Sequence, residues 1–272
     1  MNKNIKKLIF KFLIYMRRSV YVFIYFINFF GLNRKPKILI FCYHSIATDD
    51  WRFSVSCDEF KKQINHLLKS YQPASLKEIH QYLRGEIKIK KPSFVITFDD
   101  GYKDILITKD FLKKLNIKPT VFVLSDQKNA DQNELGTNRQ FLNTEDLLEL
   151  KNAGWEIGCH SATHQDFSLL NELEIKKEII SSKLELEKKL LFPVEYFSYP
   201  KGRYNADVIT ALTNAGYTLG VSMDDRVLSI KTNPYKIPRV GVDNTHTFLE
   251  FKALHAYPAI LFRRILKNTI KL

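Results

Sequence analysis

The chain has 272 residues, 45% of them hydrophobic, which suits one large α/β domain with an ample core. Its formal charge of +13 sits at the ends: residues 1–37 hold nine lysines and arginines and no acid, and the last fourteen residues hold four and no acid. Residues 38–258 are therefore neutral, which argues against the basic body of a nucleic-acid-binding protein and points the termini toward an anionic membrane surface.

Three cysteines, Cys42, Cys57 and Cys159, lack CxxC spacing, so the sequence encodes neither a disulfide framework nor a structural zinc knot. Reduced thiols fit a cytoplasmic location. The sequence contains no internal repeat and no low-complexity segment.

In chain order, residues 1–36 read as a basic, hydrophobic, membrane-associating segment. Lys11, Arg17 and Arg18 interrupt it, and its longest uncharged run, 19–33, is about 15 residues against the roughly 20 that span a bilayer. No small-residue cleavage site follows, so a removable signal peptide is not expected. The segment is expected to be a shallow in-plane anchor with its basic residues toward lipid headgroups and its Phe and Tyr in the interface, a tilted single span and a helix packed on the domain itself being the alternatives.

From residue 37 strand and helix alternate. Strands are expected at 38–46, 93–98, 119–124, 155–161, 196–200, 218–223 and 235–242. Helices are expected at 58–70, 75–85, 103–115, 143–154, 171–191 and 205–215, with a polar surface loop over 129–138. Helix 58–70 places Phe60, Ile64, Leu67 and Leu68 on one face, and Ser75 with Glu78 has the spacing of a capping box. This alternation gives an α/β fold, a distorted, incomplete (β/α)7-type parallel barrel with basic terminal helices. The barrel domain takes residues 37–258. Residues 259–272 form a basic amphipathic C-terminal helix, which either makes a second contact with the same anionic surface or docks on the barrel.

The run from Ser93 to Phe98 is apolar on both faces, as in a buried parallel strand, and it ends at Asp99, Asp100 and Gly101. Chemistry in α/β folds sits at such strand ends, and a turn at Gly101 lets both carboxylates face one cleft. Two acids that close cannot share one job: one is pinned as an anion by a cation or metal, and the other exchanges protons. A solvated turn is the plainer alternative. After the WEIG strand, His160 and His164 are spaced i and i+4, which brings two imidazoles together on one helical turn, as in a metal pair. One carboxylate and two imidazoles leave coordination positions open, the pattern of a catalytic metal.

TFDDG at 97–101, HSATH at 160–164 and FSYPKGRYN at 197–205 resemble, in order and spacing, the motifs of the polysaccharide deacetylases, the NodB-homology or carbohydrate esterase 4 family. The resemblance runs over residues 38–255 and implies a hydrolase that removes N-acetyl groups from a surface or lipid-linked polysaccharide. It implies Asp100, His160 and His164 as ligands of a divalent metal, usually Zn2+ with Co2+ or Ni2+ as alternatives, and Asp99 as general base. Tyr199, Pro200 and Lys201 would form a turn whose backbone N–H, near Lys201, helps bind the oxyanion.

The sequence departs from the family pattern in three places. The arginine two residues before the third motif's proline is Ser198 here, and neither the Asp-Trp motif nor Leu-x-His follows. His44, at the end of the first strand, resembles instead the acid histidine of the circularly permuted branch acting on poly-β-1,6-N-acetylglucosamine, where it precedes the DD motif. Imidazole suits that role because it titrates near neutral pH. First and last strands are neighbours in a closed barrel, so Arg239 is a candidate partner for Asp99, and His246 is a fallback acid. The resemblance implies an N-acetylated glycan as substrate. With the anionic membrane surface, this places the protein at the cytoplasmic face of a bacterial inner membrane, or outside it on a single N-terminal span. The oligomeric state is left open. One competing reading is a catalytically weakened glycan-binding member, and another is Mg2+-dependent phosphoryl transfer on the DD pair, against which the two imidazoles count.

Overall fold

The computed structural model describes residues 3–29, 36–130 and 132–269, so parts of the expected terminal segments, 1–2, 30–35 and 270–272, lie outside the described residues. The apolar runs become strands: β1 Ile38–Tyr43, β2 Gln72–Pro73, β3 Ser93–Phe98, β4 Thr120–Val123, β5 Glu156–Cys159, β6 Tyr196–Ser198, β7 Leu219–Val221 and β8 Val240–Gly241. β1 and β3 are buried at every position, because both faces of a parallel sheet are covered.

The sheet runs β7-β6-β5-β4-β3-β1-β8 with every pair parallel, and the short β2, which the sequence pattern does not announce, pairs with the start of β3. The expected strand at 235–242 is cut to β8 and one isolated bridge, Ile237 to Val221. Pro238 lies between them and has no N–H to give to a ladder. Even so, this segment reaches both edges of the sheet. Ile237 N–H donates to Gly220 O at 2.9 Å and its carbonyl accepts from Ser222 N–H at 2.8 Å, while Val242 N–H donates to Cys42 O at 2.9 Å. The result is a distorted barrel, closed incompletely by one irregular segment.

Around the sheet lie α1 Lys3–Phe29, α2 Cys57–Leu67, α3 Leu76–Leu83, α4 Lys109–Lys114, α5 Gln132–Leu135 and α6 Thr144–Asn152. They are followed by α7 Glu172–Lys176, α8 Ser182–Leu190, α9 Ala206–Asn214, α10 Phe248–Ala253 and α11 Tyr257–Thr269. The capping box at Ser75 and Glu78 is formed, and Asn143 with Asp146 makes another. Four expectations change. The first half of 103–115 is a 3-10 helix, α5 puts a turn of helix into the polar loop, and 171–191 is broken by a π turn at Lys177–Ser181. α10, capped by Thr247 and Glu250, was not expected at all.

The N-terminal helix packs on the domain along one face. α1 packs on α10, and Tyr21 and Ile24 are buried in the main core. Arg17 points inward: its Nε donates to Glu250 Oε1 at 3.1 Å and its Nη2 to Thr245 O at 2.6 Å. Glu250 is itself buried, and without Arg17 it would lose a buried counter-ion. No described helix is long and apolar enough to cross a membrane.

Candidate active site

Parallel strands in register end at one level, so the residues just beyond them become neighbours. Tyr43 pairs with Phe98, which sets His44 beside Asp99, and Cys159 pairs with Phe197, which sets His160 beside Ser198. Asp99 N–H still donates to Tyr43 O at 2.9 Å. The chain then reverses: Asp100 (φ 67°) and Gly101 (φ 74°) are both left-handed, which turns the second carboxylate back into the cleft. A Cβ on Gly101 would lie 2.7 Å from Val123 Cγ1, so the position needs glycine for space as well as for backbone angle.

His160 Nε2 lies 3.3 Å and His164 Nε2 3.4 Å from the same atom, Asp100 Oδ1, and the two rings are 5.0 Å apart. The expected helical turn is absent. HSATH is a loop, and the rings meet because Ser161 (φ 70°) and His164 (φ 66°) take left-handed conformations, with Ser161 Oγ accepting from His164 N–H at 3.1 Å. His160 Nδ1 lies 2.8 Å from Ser198 O, so it carries the proton and donates, leaving the Nε2 lone pair aimed at Asp100. Glu178, buried in the π turn, braces the loop: its Oε2 accepts from Ala162 N–H at 3.0 Å and Thr163 N–H at 2.9 Å, and its Oε1 from Thr163 Oγ1 at 2.8 Å.

Asp99 has different partners. Arg239 grips it bidentately, Nη1 to Oδ1 at 2.7 Å and Nη2 to Oδ2 at 2.6 Å, and Ser198 Oγ lies 3.1 Å from Oδ2. Arg239 Nη2 also donates to Ser198 Oγ at 2.8 Å and Nη1 to Thr97 Oγ1 at 3.0 Å. The serine that stands where an arginine was expected is thus bonded to an arginine from the far end of the chain.

Electrostatics follows from these neighbours. Burial pushes the Asp99 carboxyl up, and the Arg239 charge reverses this and holds it well below the usual carboxylate range. Burial also pushes Asp100 up, and His160 and His164 beside it bring it down to about 2. Burial drives His164 down to about 4, so it is a neutral donor at neutral pH. Asp100 Oδ1 is buried without a hydrogen-bond partner. An orphaned carboxylate oxygen faced by two imidazole nitrogens, all within 4.8 Å of one another, fits a divalent cation, and the mixed oxygen and nitrogen set suits zinc.

The remaining expected residues divide. His44 joins the cleft: its ligand nitrogen, a carboxylate oxygen of Asp99 and Cys42 Sγ lie within 4.8 Å of one another, and its ring packs on Phe53 at 4.8 Å. Lys201 sits at the turn in a left-handed conformation (φ 57°), after the buried Pro200. The Tyr199 side chain belongs to the core, fully buried with its hydroxyl donating to Tyr235 O at 2.8 Å, so only its backbone can serve the turn. His246 is committed elsewhere, its Nδ1 2.8 Å from Asp243 Oδ1 and its Nε2 3.2 Å from Arg263 Nη1.

Two features had no local signal in the sequence. Glu178 reads as one more acid on a charged helix. Arg139 lies in a polar stretch, yet its Nε donates to Ser45 Oγ and Asp104 Oδ2, both at 3.0 Å, it pairs with Asp49, and its guanidinium sits 4.7 Å over Trp51. It thereby clamps the loop after His44, whose Trp51 and Phe53 rings pack edge to face at 5.3 Å.

The family model described as polysaccharide deacetylase matches residues 86–220. The chain carries a polysaccharide deacetylase domain. Among its relatives, the Bacillus subtilis protein YxkH is 29% identical over 213 residues, 77% of this chain and 73% of that one. The poly-β-1,6-N-acetyl-D-glucosamine N-deacetylase of Staphylococcus aureus is 28% identical over 231 residues, 80% of this chain and 73% of that one. Two solved structures share the fold. The Streptococcus pyogenes deacetylase PplD in complex with acetate has a TM-score of 0.70 at 24% identity, covering 83% of this chain and 100% of that one. IcaB from Ammonifex degensii has a TM-score of 0.69 at 21% identity, covering 82% and 97%.

Two outcomes test the deacetylase site. Because Arg239 depresses the Asp99 carboxyl, the pair contributes stability above the unfolded pKa of about 3.9 and loses it as pH falls. Arg239→Met should cost about 3–5 kcal/mol near neutral pH in denaturant unfolding, and its gap to the wild type should shrink below about pH 4. A gap that does not change with pH would mean Asp99 is not the group relieved. Glu178→Gln should weaken zinc binding about tenfold in chelator competition, and unchanged affinity would mean the loop keeps its shape without the carboxylate.

Proposed function

We propose that the protein is a metal-dependent N-deacetylase acting on an N-acetylated surface or lipid-linked glycan. The observation that carries this is the division of labour between adjacent carboxylates: Asp99 is locked to Arg239, and Asp100 faces His160 and His164. A zinc ion held by Asp100, His160 and His164 would supply Lewis acidity toward the amide carbonyl and the attacking water. Asp99 accepts the proton of that water as the new carbon–oxygen bond forms. The backbone N–H of the turn at Lys201 faces the charge that develops on the carbonyl oxygen. His44 gives a proton to the departing nitrogen as the carbon–nitrogen bond breaks, leaving acetate and a free amine.

The position of His44, just past the end of β1 and ahead of the DD pair, supports the permuted order in which the acid histidine comes first. The Staphylococcus aureus relative's substrate supports a β-1,6-linked N-acetylglucosamine polymer as the class to test first. The weakened, glycan-binding reading rested on the missing arginine and the missing Asp-Trp motif, and the Arg239 bond to Asp99 counts against the first of these grounds.

The test is acetate release from N-acetylglucosamine oligomers, with metal analysis of the same samples. Asp99→Asn should lower kcat by about 10²–10⁴-fold with metal content unchanged, and retained turnover would remove Asp99 from the reaction. His44→Ala should lower kcat about 10²-fold with metal retained, whereas loss of metal would make His44 a ligand.

A further inference from the structure

The two terminal helices turn apolar side chains toward solvent in an ordered way. On α1, Phe12, Tyr15 and Met16 and then, past the exposed Ser19, Val22, Phe23 and Phe26 fall on one face, each of the six at least 37% exposed. The opposite face of α1 carries Tyr21 and Ile24 into the core, so the helix is apolar on both sides. α11 lies against it, with the Tyr21 and Phe262 rings 6.2 Å apart. Its outer face adds Tyr257, Leu261 and Ile265, with Arg264 exposed among them. An exposed apolar patch spread over two packed helices is more than scattered surface hydrophobics and marks a docking surface.

Arg264 apart, the positive charge beside it does not come from the arginines of these helices. Arg17 is engaged with Glu250, and Arg263 Nε donates to Asp225 Oδ1 at 2.6 Å. It comes from a groove of about 480 Å3 between α2 and α10, lined by Lys61, Lys62, Lys69, Lys252, His66 and Phe248, with Asp58 its one acid. Lys252 Nζ lies 5.4 Å from the Tyr25 ring of α1 and 4.8 Å from the Phe248 ring. The Tyr25 ring lies in turn 5.7 Å from that of Phe26 in the stripe, so groove and stripe meet through Tyr25.

We propose that this face docks on an anionic lipid bilayer: α1 and α11 lie in the interfacial plane with their outer stripe at the acyl boundary, and the groove lysines take the headgroup phosphates. Apolar stripe and adjacent cations together match the two layers of a leaflet, and the geometry needs no transmembrane span. The attachment also orients the barrel. Arg17 bonds Thr245, two residues past Asp243, and Asp243 Oδ2 accepts from Arg52 Nε at 3.1 Å in the loop that holds Trp51 and Phe53. The docking helix is thus fastened to the rim of the candidate active site. The inference rests on the surface alone and stands apart from the reaction proposed above.

Full-length protein is sedimented with vesicles of phosphatidylcholine alone or mixed with phosphatidylglycerol. Binding to the mixed vesicles should be at least about tenfold tighter and should weaken with added salt. Phe23→Glu with Phe26→Glu, and separately Lys61→Glu with Lys69→Glu, should each reduce it about tenfold or more while thermal unfolding stays cooperative. Equal binding to both vesicle types, or both double variants binding like the wild type, overturns the proposal. So does a wild type that ignores vesicles and runs at twice its mass until Phe23 and Phe26 are changed, because a second copy then covers the face. If the phenylalanine pair fails to fold, the lysine pair, whose side chains line an open groove, decides alone.

Discussion

The ion pair between Arg239 and Asp99 is the constraint on which the mouth of the barrel depends. Both groups are buried, and a buried charge persists only when its partner and its remaining hydrogen-bonding positions are supplied. Here the suppliers come from separate parts of the sheet: Thr97 from β3, Ser198 from β6, and the carbonyl of Ser222 just beyond β7, which accepts from Arg239 Nε at 3.3 Å. The guanidinium therefore joins the irregular closing segment to the strands it must complete. Where Pro238 interrupts the backbone ladder, side-chain bonds take over.

The same pair sets the chemistry available to Asp99. A carboxylate held below its usual range remains an anion across the working pH, but it is a weak base, so in the proposed reaction the water would have to be acidified by something else in the cleft. The oxygen and nitrogen cluster at Asp100, His160 and His164 is where a cation would do that. The neighbouring trio of Cys42, His44 and Asp99 is equally tight but does not fit a second ion. Arg239 already engages both oxygens of Asp99, and burial pushes the Cys42 thiol well up, so that it stays protonated and serves as a small apolar filler behind the pair.

Much of this was legible in the sequence because its signals are local. Buried parallel strands read as unbroken apolar runs, capping boxes fix helix starts, and a DDG sequence after such a run marks a strand end. Loops with left-handed residues were misread for a physical reason. Spacing of four suits a helix, and nothing in SATH announces that Ser161 and His164 adopt positive φ. The π turn that aims Glu178, and the clamp made by Arg139, depend on contacts between residues far apart in the chain. Arg239 was within reach only because barrel closure makes the last strand a neighbour of the first, so topology predicted what local pattern could not.

One detail of the N-terminal helix, the outward aim of Arg17, was misread for a related reason: hydrophobicity and basic charge describe a surface, but they do not say which residues face it. Glu250, Arg17, Thr245, Asp243, His246, Arg263 and Asp225 form one chain of hydrogen bonds under the terminal helices. Burial pushes the Asp243 carboxyl up, and His246 reverses this, with Arg52 adding its charge, so that it ends well below the usual carboxylate range. His246 accepts from Arg263 on one nitrogen and donates to Asp243 from the other, which fits the neutral ring that burial favours. Each link compensates the next, so removing α1 would strand Glu250 and exposing α11 would strand Asp225. The terminal helices are therefore part of the domain's own electrostatic structure, and whatever their outer stripe rests on is held at a fixed angle to the site.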